Sequence, residues 1–426
     1  MDGAQLLMAV VDGGGTVPPA MGVAAELGRR GHRVRVLGDP TVEASARAAG
    51  CEFLPWTTAP SFATLAEQTA ALGAAEHGSP RARMRVVTRF AGGPAIRAFA
   101  DDVLAATRAQ PTDGVLVEAM LPGLVIGAEA SGLPAAGLMA NLYVPPTRGL
   151  PPMSTGWSPG RTPVGRLRDT AVLGAARLAT RGAARPLNRI RAEYGLAPVP
   201  DVFAQLDRLS RVLVMSSAAF DFPATLPPNV RYVGPQTDDP DWAGGQDWRP
   251  DGDGPLVLVG MSSVYQRQAG VLRTVAQALG SLPVRGVITT GRAVAPDEVP
   301  AAADIRVVRS APHREVLREA SVVVTHAGHG TVLKSLAAGV PVVCLPMGRD
   351  QRANAARVVR LGAGVRVSPR ASADRVAAAV RQVLADPSFA SAAARTAQVL
   401  ASEAATHPSA ADEVEAMIGV TPARSR

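Results

Sequence analysis

Aromatic residues make up only 4% of the 426-residue sequence, so stacking of a ligand between rings has few rings to draw on. Cysteine is nearly absent. Cys51 and Cys344 lie far apart, which excludes a disulfide framework and fits a reducing, cytoplasmic setting. Cys344 stands in an apolar run, Pro341-Val342-Val343-Cys344-Leu345, and reads as a buried thiol. The six histidines are scattered without metal-ligand spacing, so no metal is expected. No apolar stretch approaches the ~18 residues that would cross a membrane. The first residues show neither a basic leader nor a cleavage site, so no signal peptide is read there. The formal charge is +8, carried mostly by arginine in a chain rich in Ala, Gly and Pro. Such composition reflects a GC-rich genome as readily as an anionic partner. No basic stripe interleaved with aromatics is present, so nucleic acid is not expected as a partner.

What is present is core-forming sequence. Hydrophobic residues reach 47%, and the length suits two domains of roughly 200 residues each. The first half alternates strands (5–11, 33–37, 114–117, 135–138, 212–215) with helices, the first of them starting near Pro18 and stopping near Gly31. Residues 53–111 read as mainly helical. Residues 141–163, rich in Pro and Gly, read as a long surface loop. Its Tyr143 and Trp157 are candidate ligand contacts, although the loop also suits a passive connection. The polar segment 236–254 reads as a linker. After it the rhythm restarts, with strands at 256–259, 286–289, 305–308, 321–325, 340–345 and 364–367, then helices near 372–385, 389–405 and 410–418, and a frayed tail after Val420. This is a doubly wound α/β pattern.

Two strand-to-helix turns carry the chemistry. The strand at 321–325 runs into His326-Ala327-Gly328-His329-Gly330-Thr331. Glycines allow close backbone approach, and the free amides of a helix start favour an anion such as a diphosphate. His326 can add a hydrogen bond or a positive charge. The strand at 340–345 runs into Pro346-Met347-Gly348-Arg349-Asp350-Gln351. Asp350 and Gln351 suit sugar hydroxyls, although Asp350 also suits a helix cap. Both turns fall at the carboxyl ends of strands, where open α/β sheets bind ligands.

Together these turns, with Ala338-Gly339-Val340-Pro341, Asn354-Ala355 and Arg357, resemble the donor signature of GT-B nucleotide-sugar glycosyltransferases. The family in question contains macrolide, glycopeptide, enediyne and UDP-glucuronosyl transferases. Weaker resemblance extends over nearly the whole chain, at residues 232–235, 257–263 and 311–317. It implies two facing Rossmann-like domains with a cleft between them: an acceptor domain at 1–235, a linker at 236–254, a donor domain at 255–407, and a C-terminal helix and tail at 408–426 packing back on the first domain. It also implies that Ser263, His326, Gly328, Gly330 and Thr331 hold the diphosphate of a dTDP- or UDP-sugar. Asp350 and Gln351 would hold the sugar, and Ser310 and Ala311 would read the base. Ser310 stands where the family often has Trp. The resemblance implies no metal and no other cofactor, and a bacterial natural product as acceptor.

The expected base is the departure. The family places a histidine in the loop after the first strand, and this chain has Thr16 there. Threonine is not a base near neutral pH. Glu118 matches the family's orienting carboxylate and becomes the candidate base for inverting transfer, directly or through a water held by Thr16. Asp12 is the second candidate. An amine or carbon acceptor would need less deprotonation.

Other histidines read more plainly: His32 as a cap of the first helix, His77 and His407 as surface groups, His313 and His329 as neighbours of the donor turns. The basic stretch 166–191 fits a solvated helix on the first domain better than a membrane-surface helix. A nucleotide-sugar epimerase of the same fold, or an inactive GT-B-like partner protein, are the alternative functions. The chain is read as a monomer or homodimer.

Overall fold

The computed structural model describes residues 3–77, 79–239, 243–244, 247–262 and 268–420. Ser263 and the tail after Val420 lie outside the described residues, as do parts of the 236–254 linker. The first half contains β1 (Gln5–Val10), α1 (Val17–Arg29), β2 (Arg33–Gly38), α2 (Glu43–Ala48), β3 (Glu52–Pro55), α3 (Leu65–His77), α4 (Pro80–Ala91), α5 (Gly93–Ala109), β4 (Gly114–Glu118), α6 (Pro122–Ala130), β5 (Ala135–Met139), α7 (Pro163–Glu193), β6 (Arg211–Val214) and β7 (Val230–Tyr232). The second half contains β8 (Leu256–Gly260), α8 (Ala269–Gly280), β9 (Arg285–Thr289), β10 (Ile305–Val308), α9 (His313–Glu319), β11 (Ala320–Thr325), α10 (His329–Ala337), β12 (Val342–Cys344), α11 (Gln351–Leu361), β13 (Gly364–Arg366), α12 (Ala373–Ala385), α13 (Pro387–Thr406) and α14 (Ala410–Met417).

Two parallel sheets result, ordered β3-β2-β1-β4-β5-β6-β7 and β10-β9-β8-β11-β12-β13. Each reverses its winding direction beside its first strand, between β1 and β4 and between β8 and β11. A crevice forms at such a switch point, where successive loops turn to opposite sides of the sheet. The strands read as continuous apolar runs because both sheet faces are covered. In β1, Leu6, Met8 and Val10 face α1 and α14, while Leu7 and Ala9 face α5 and α6.

Three features differ from the sequence reading. β3 lies inside the stretch read as helical, and β7 was not read at all. Both are short edge strands that pair on one side only, so they carry little periodic signal. The loop at 141–162 begins inside the fold: Leu142 and Tyr143 are buried. His32 caps α1 through its backbone amide, which donates to the Leu27 carbonyl (3.1 Å), and not through its side chain. The chain turns at Gly31 (φ 93°), and the His32 ring instead meets the Ala4 amide (3.1 Å) and Glu415 of α14 (3.1 Å).

The two halves exchange segments. α14 packs on the first sheet through Ala410, Ala411 and Val414, beside the ion pairs Arg30–Asp412 (2.7 Å) and Arg211–Glu413 (2.8 Å). Gly114 leaves room for it, since a Cβ there would lie 2.7 Å from the Ile418 side chain. In return, residues 215–222 after β6 insert between α10, α11 and α13. Phe220 is fully buried there with Leu333 and Val358. Asp221 accepts from Arg357 Nε (2.9 Å) and the Tyr232 hydroxyl (2.8 Å), and Arg360 donates to the carbonyls of Ala219 and Phe220.

Candidate active site

β11 delivers its buried valines to the core and ends at Thr325. The next residues must turn into α10 within a few positions. Ala327 does so in the left-handed region (φ 68°), and Gly328 takes the N-cap position. The His326 ring tucks beneath that start. A Cβ on Gly328 would lie 2.5 Å from His326 Nε2, so only glycine leaves the ring its place. His326 is buried, and its Nδ1 meets the Thr325 hydroxyl at 3.2 Å. Burial pushes the imidazole down to about 4, against the pull of Asp350. The ring is therefore neutral near pH 7. The opening amides of α10, which have no partner within the helix, complete an anion-binding arrangement.

The second turn is tied to the first. Asn354 on α11 donates to Asp350 Oδ2 (2.8 Å) and to the Ala327 carbonyl (3.0 Å), which fixes the Asp350 carboxylate. Asp350 precedes α11 without a capping bond from its side chain. Gln351 accepts from the Met347 and Gly348 amides (2.7 and 2.9 Å), so its carboxamide oxygen also shapes the turn.

A cavity of about 290 Å³ opens at the carboxyl ends of both sheets. His326, Gly328, Gly330, Thr331, Asp350 and Gln351 line it on one side, and Ser310 and Ala311 bound another part. Thr16, Gly13, Asn141, Met153 and Met215 contribute from the first half. Tyr143 and Trp157 are not among its described lining residues. Tyr143 packs in the first core with Met139 and Leu124, and burial raises its hydroxyl above the ordinary range. Trp157 is partly exposed beneath the Arg168 guanidinium, 4.6 Å from the ring centre. From that loop it is Asn141 and Met153 that reach the cavity.

Of the three candidate catalytic residues, only Thr16, the expected holder of a water, is on the cavity wall. Asp12 is turned into its own loop, where Oδ1 accepts the Gly14 amide (2.9 Å). Glu118 ends β4 beside the end of β1. The Val11 amide donates to its Oε2 (3.4 Å), and the Val11 carbonyl accepts from the Thr16 hydroxyl (3.4 Å), so Glu118 and Thr16 flank one residue. Burial, helped by the charges of Asp39 and Asp12, pushes Glu118 up to about 7. Asp39 was missed from the sequence. It is wholly buried after β2, accepts the amides of Asp12 (2.6 Å) and Phe62 (3.0 Å), and is raised by burial to about 6. Its only sequence signal was a carboxylate at a strand end. Two further missed residues line the cavity: Lys334 on α10 and Asp239 of the linker, 2.7 Å apart. Among the described residues, no group of three or more His, Cys, Asp or Glu is placed to hold a metal ion, and no helix is long and apolar enough to cross a membrane.

Two facing parallel α/β domains with a cavity at their strand ends define the GT-B fold. Residues 196–403 match the family described as UDP-glucoronosyl and UDP-glucosyl transferase. The chain is 30% identical to 4'-demethylrebeccamycin synthase of Lentzea aerocolonigenes over 429 aligned residues, 98% of this chain and 100% of that one. Its structure is similar to that of the glycotransferase of kitacinnamycin (TM-score 0.74, 25% identity, 98% and 99% of the two chains). It shares the fold of VinC, solved in complex with dTDP (TM-score 0.64, 19% identity, 97% and 98% covered). The chain belongs to the UDP-glucuronosyl and antibiotic glycosyltransferase family, and it is a sugar-transferring enzyme. These likenesses favour neither the epimerase nor the inactive-partner alternative.

Proposed function

We propose that the enzyme moves a sugar from a dTDP- or UDP-sugar to a small natural-product acceptor, with inversion at the anomeric carbon and without a metal. The observation that carries this reading is the buried, neutral His326 beneath the open amides of α10, facing a cavity that both sheets share. Diphosphate oxygens would accept from His326, from the amides around Gly328 and Gly330, and from the Thr331 hydroxyl. Ser310 and Ala311 would border the base, and Asp350, held by Asn354, would accept from sugar hydroxyls. The UDP-linked donors named in the family description and the dTDP bound to VinC support the choice of nucleotide. The similarity to 4'-demethylrebeccamycin synthase, an enzyme named for a natural product, supports the acceptor class.

In the transfer, an acceptor oxygen attacks the anomeric carbon. The bond from that carbon to the phosphate oxygen breaks, and its electron pair leaves on the nucleoside diphosphate. The acceptor proton passes to Glu118. A water on the Thr16 hydroxyl suits the relay, because Thr16 is on the cavity wall and Glu118 is behind it. Equilibrium binding of dTDP, UDP and GDP tests the donor half. His326→Ala should weaken the preferred nucleotide at least ~10-fold, as expected for a hydrogen bond to a charged group. Unchanged binding by the variant would remove His326 from the site.

A further inference from the structure

Apolar side chains scattered singly over a surface need no explanation, whereas gathered ones do. Among the described residues, eight large apolar side chains are exposed. Three of them, Val164 (78%), Leu167 (70%) and Leu178 (71%), stand on α7, and a fourth, Trp157 (38%), on the loop that leads into it. α7 runs for 31 residues, yet the ones it buries, Ala184, Leu187, Ile190 and Arg191, fall in its last third. Between residues 163 and 183, about 30 Å of helix, none is buried. Val164, Leu167, Ala171, Ala175 and Leu178 recur at intervals of three and four, so they form one stripe, and all five are exposed. The Trp157 ring adjoins its start, 4.6 Å beneath the Arg168 guanidinium.

The charge beside this stripe has one sign. Arg166, Arg177 and Arg181 follow one flank, and Arg185 extends the stripe itself; all four are exposed. The only acidic residue between 163 and 185 is Asp169, which already receives Arg168 (2.6 Å) and the Gly160 amide (2.6 Å). Charge alone suits a solvated helix; the bare apolar stripe does not. A second copy of the chain laid on the stripe would set arginine rows against each other with no carboxylate to receive them. An anionic lipid surface accommodates both parts. The stripe enters the acyl boundary, the arginines reach lipid phosphates on their long stems, and a tryptophan suits the interface between them. We infer that the free face of α7, together with Trp157, docks the enzyme on an anionic membrane surface without crossing it. Trp157 is four residues from Met153 of the cavity wall, at most ~14 Å of chain, so docking holds the lipid beside the cavity.

The test is co-flotation of the full-length protein with phosphatidylcholine vesicles, with and without an equal part of phosphatidylglycerol. Wild type should float with the mixed vesicles at least ~10-fold more than with the neutral ones. Leu167→Ser/Leu178→Ser, which leaves the charge unchanged, and Arg177→Gln/Arg181→Gln should each lower that partition at least ~10-fold. Arg375→Gln/Arg381→Gln makes the same charge change at exposed positions of α12, in the second half, and should lower it less than ~3-fold. All three variants should keep the wild-type Tm, because they alter exposed side chains only. Tryptophan emission should shift to the blue on docking, and Trp157→Phe should remove the shift. Failure of wild type to float with the mixed vesicles overturns the inference. So does an equal loss in the α12 variant, which would mean adsorption by net charge, or an undiminished partition in the leucine variant. A concentration-dependent dimer that the leucine variant loses, without flotation, assigns the face to a second copy and overturns it as well.

Discussion

Glu118 and His326 are both drawn toward their neutral forms by burial, with opposite consequences for pH. Glu118 rises to about 7, so as a base it is ionised only above that pH. Turnover should climb with pH through about 7 and then level. Glu118→Gln should lower kcat at least ~100-fold, within the range for a lost general base, and remove that limb. A variant with wild-type rate and an unchanged profile would end the assignment. The same shift has a stability sign. The folded pKa lies above the unfolded one, so the favourable contribution is complete below about 4.5 and lost as pH rises through about 7. Glu118→Gln should therefore have a higher Tm than wild type at pH 8 and a similar one at pH 4.5. His326 runs the other way: its contribution is present above the unfolded value of 6.5 and is lost as pH falls toward 4. Gly328 guards the ring's position. Gly328→Ala brings a methyl within 2.5 Å of Nε2 and should weaken nucleotide binding about as much as His326→Ala, while a near-wild-type Kd would show that the ring can shift without cost.

At the level of elements, the sequence made the central strands plain and the edges obscure. β1, β4, β8 and β11 are apolar along nearly their whole length because both sheet faces are covered, and their ends in the sequence match their ends in the fold to within about one residue. β3 and β7 are short and half exposed, so nothing in their pattern separates them from loop. The donor turns were legible for a local reason, since strand, glycine-rich turn and helix follow one another within a dozen residues. The pairs that fix the site and the last helix were not legible, because their partners lie far apart in the chain: Asp39 with the Asp12 amide and Asp239 with Lys334 at the site, and His32 with Glu415 at α14. Tyr143 misled for a related reason. An aromatic in a Pro- and Gly-rich loop looks available, but its ring had a core to fill one turn of chain after β5.

For the whole molecule, the exchanged segments matter more than the linker. Arg357 and Asp221 are both buried, and their pair joins α11 of the second half to the chain just after β6 of the first. Removing one partner of such a pair leaves a buried charge and costs about 3–5 kcal/mol. Arg357→Met should lower the unfolding free energy by that amount, read in urea as a lower midpoint. It should also split a single unfolding transition into two, because the 215–222 segment would no longer couple the halves. A loss under about 1 kcal/mol with one retained transition would show that Phe220 packing alone holds the segment. Closure of the cleft, where it occurs, must move α14 with the first sheet and residues 215–222 with the second.

That exchange also limits modularity. A hybrid enzyme made by joining the first half of this chain to the second half of a relative, cut within the linker, inherits foreign partners at both crossings. Its α14 must still meet Arg30, His32 and Arg211, and its α11 must still receive Asp221. The unit that can be grafted is therefore not a continuous half of the sequence. It is the first sheet together with the last helix, with residues 215–222 carried by whichever parent supplies Arg357.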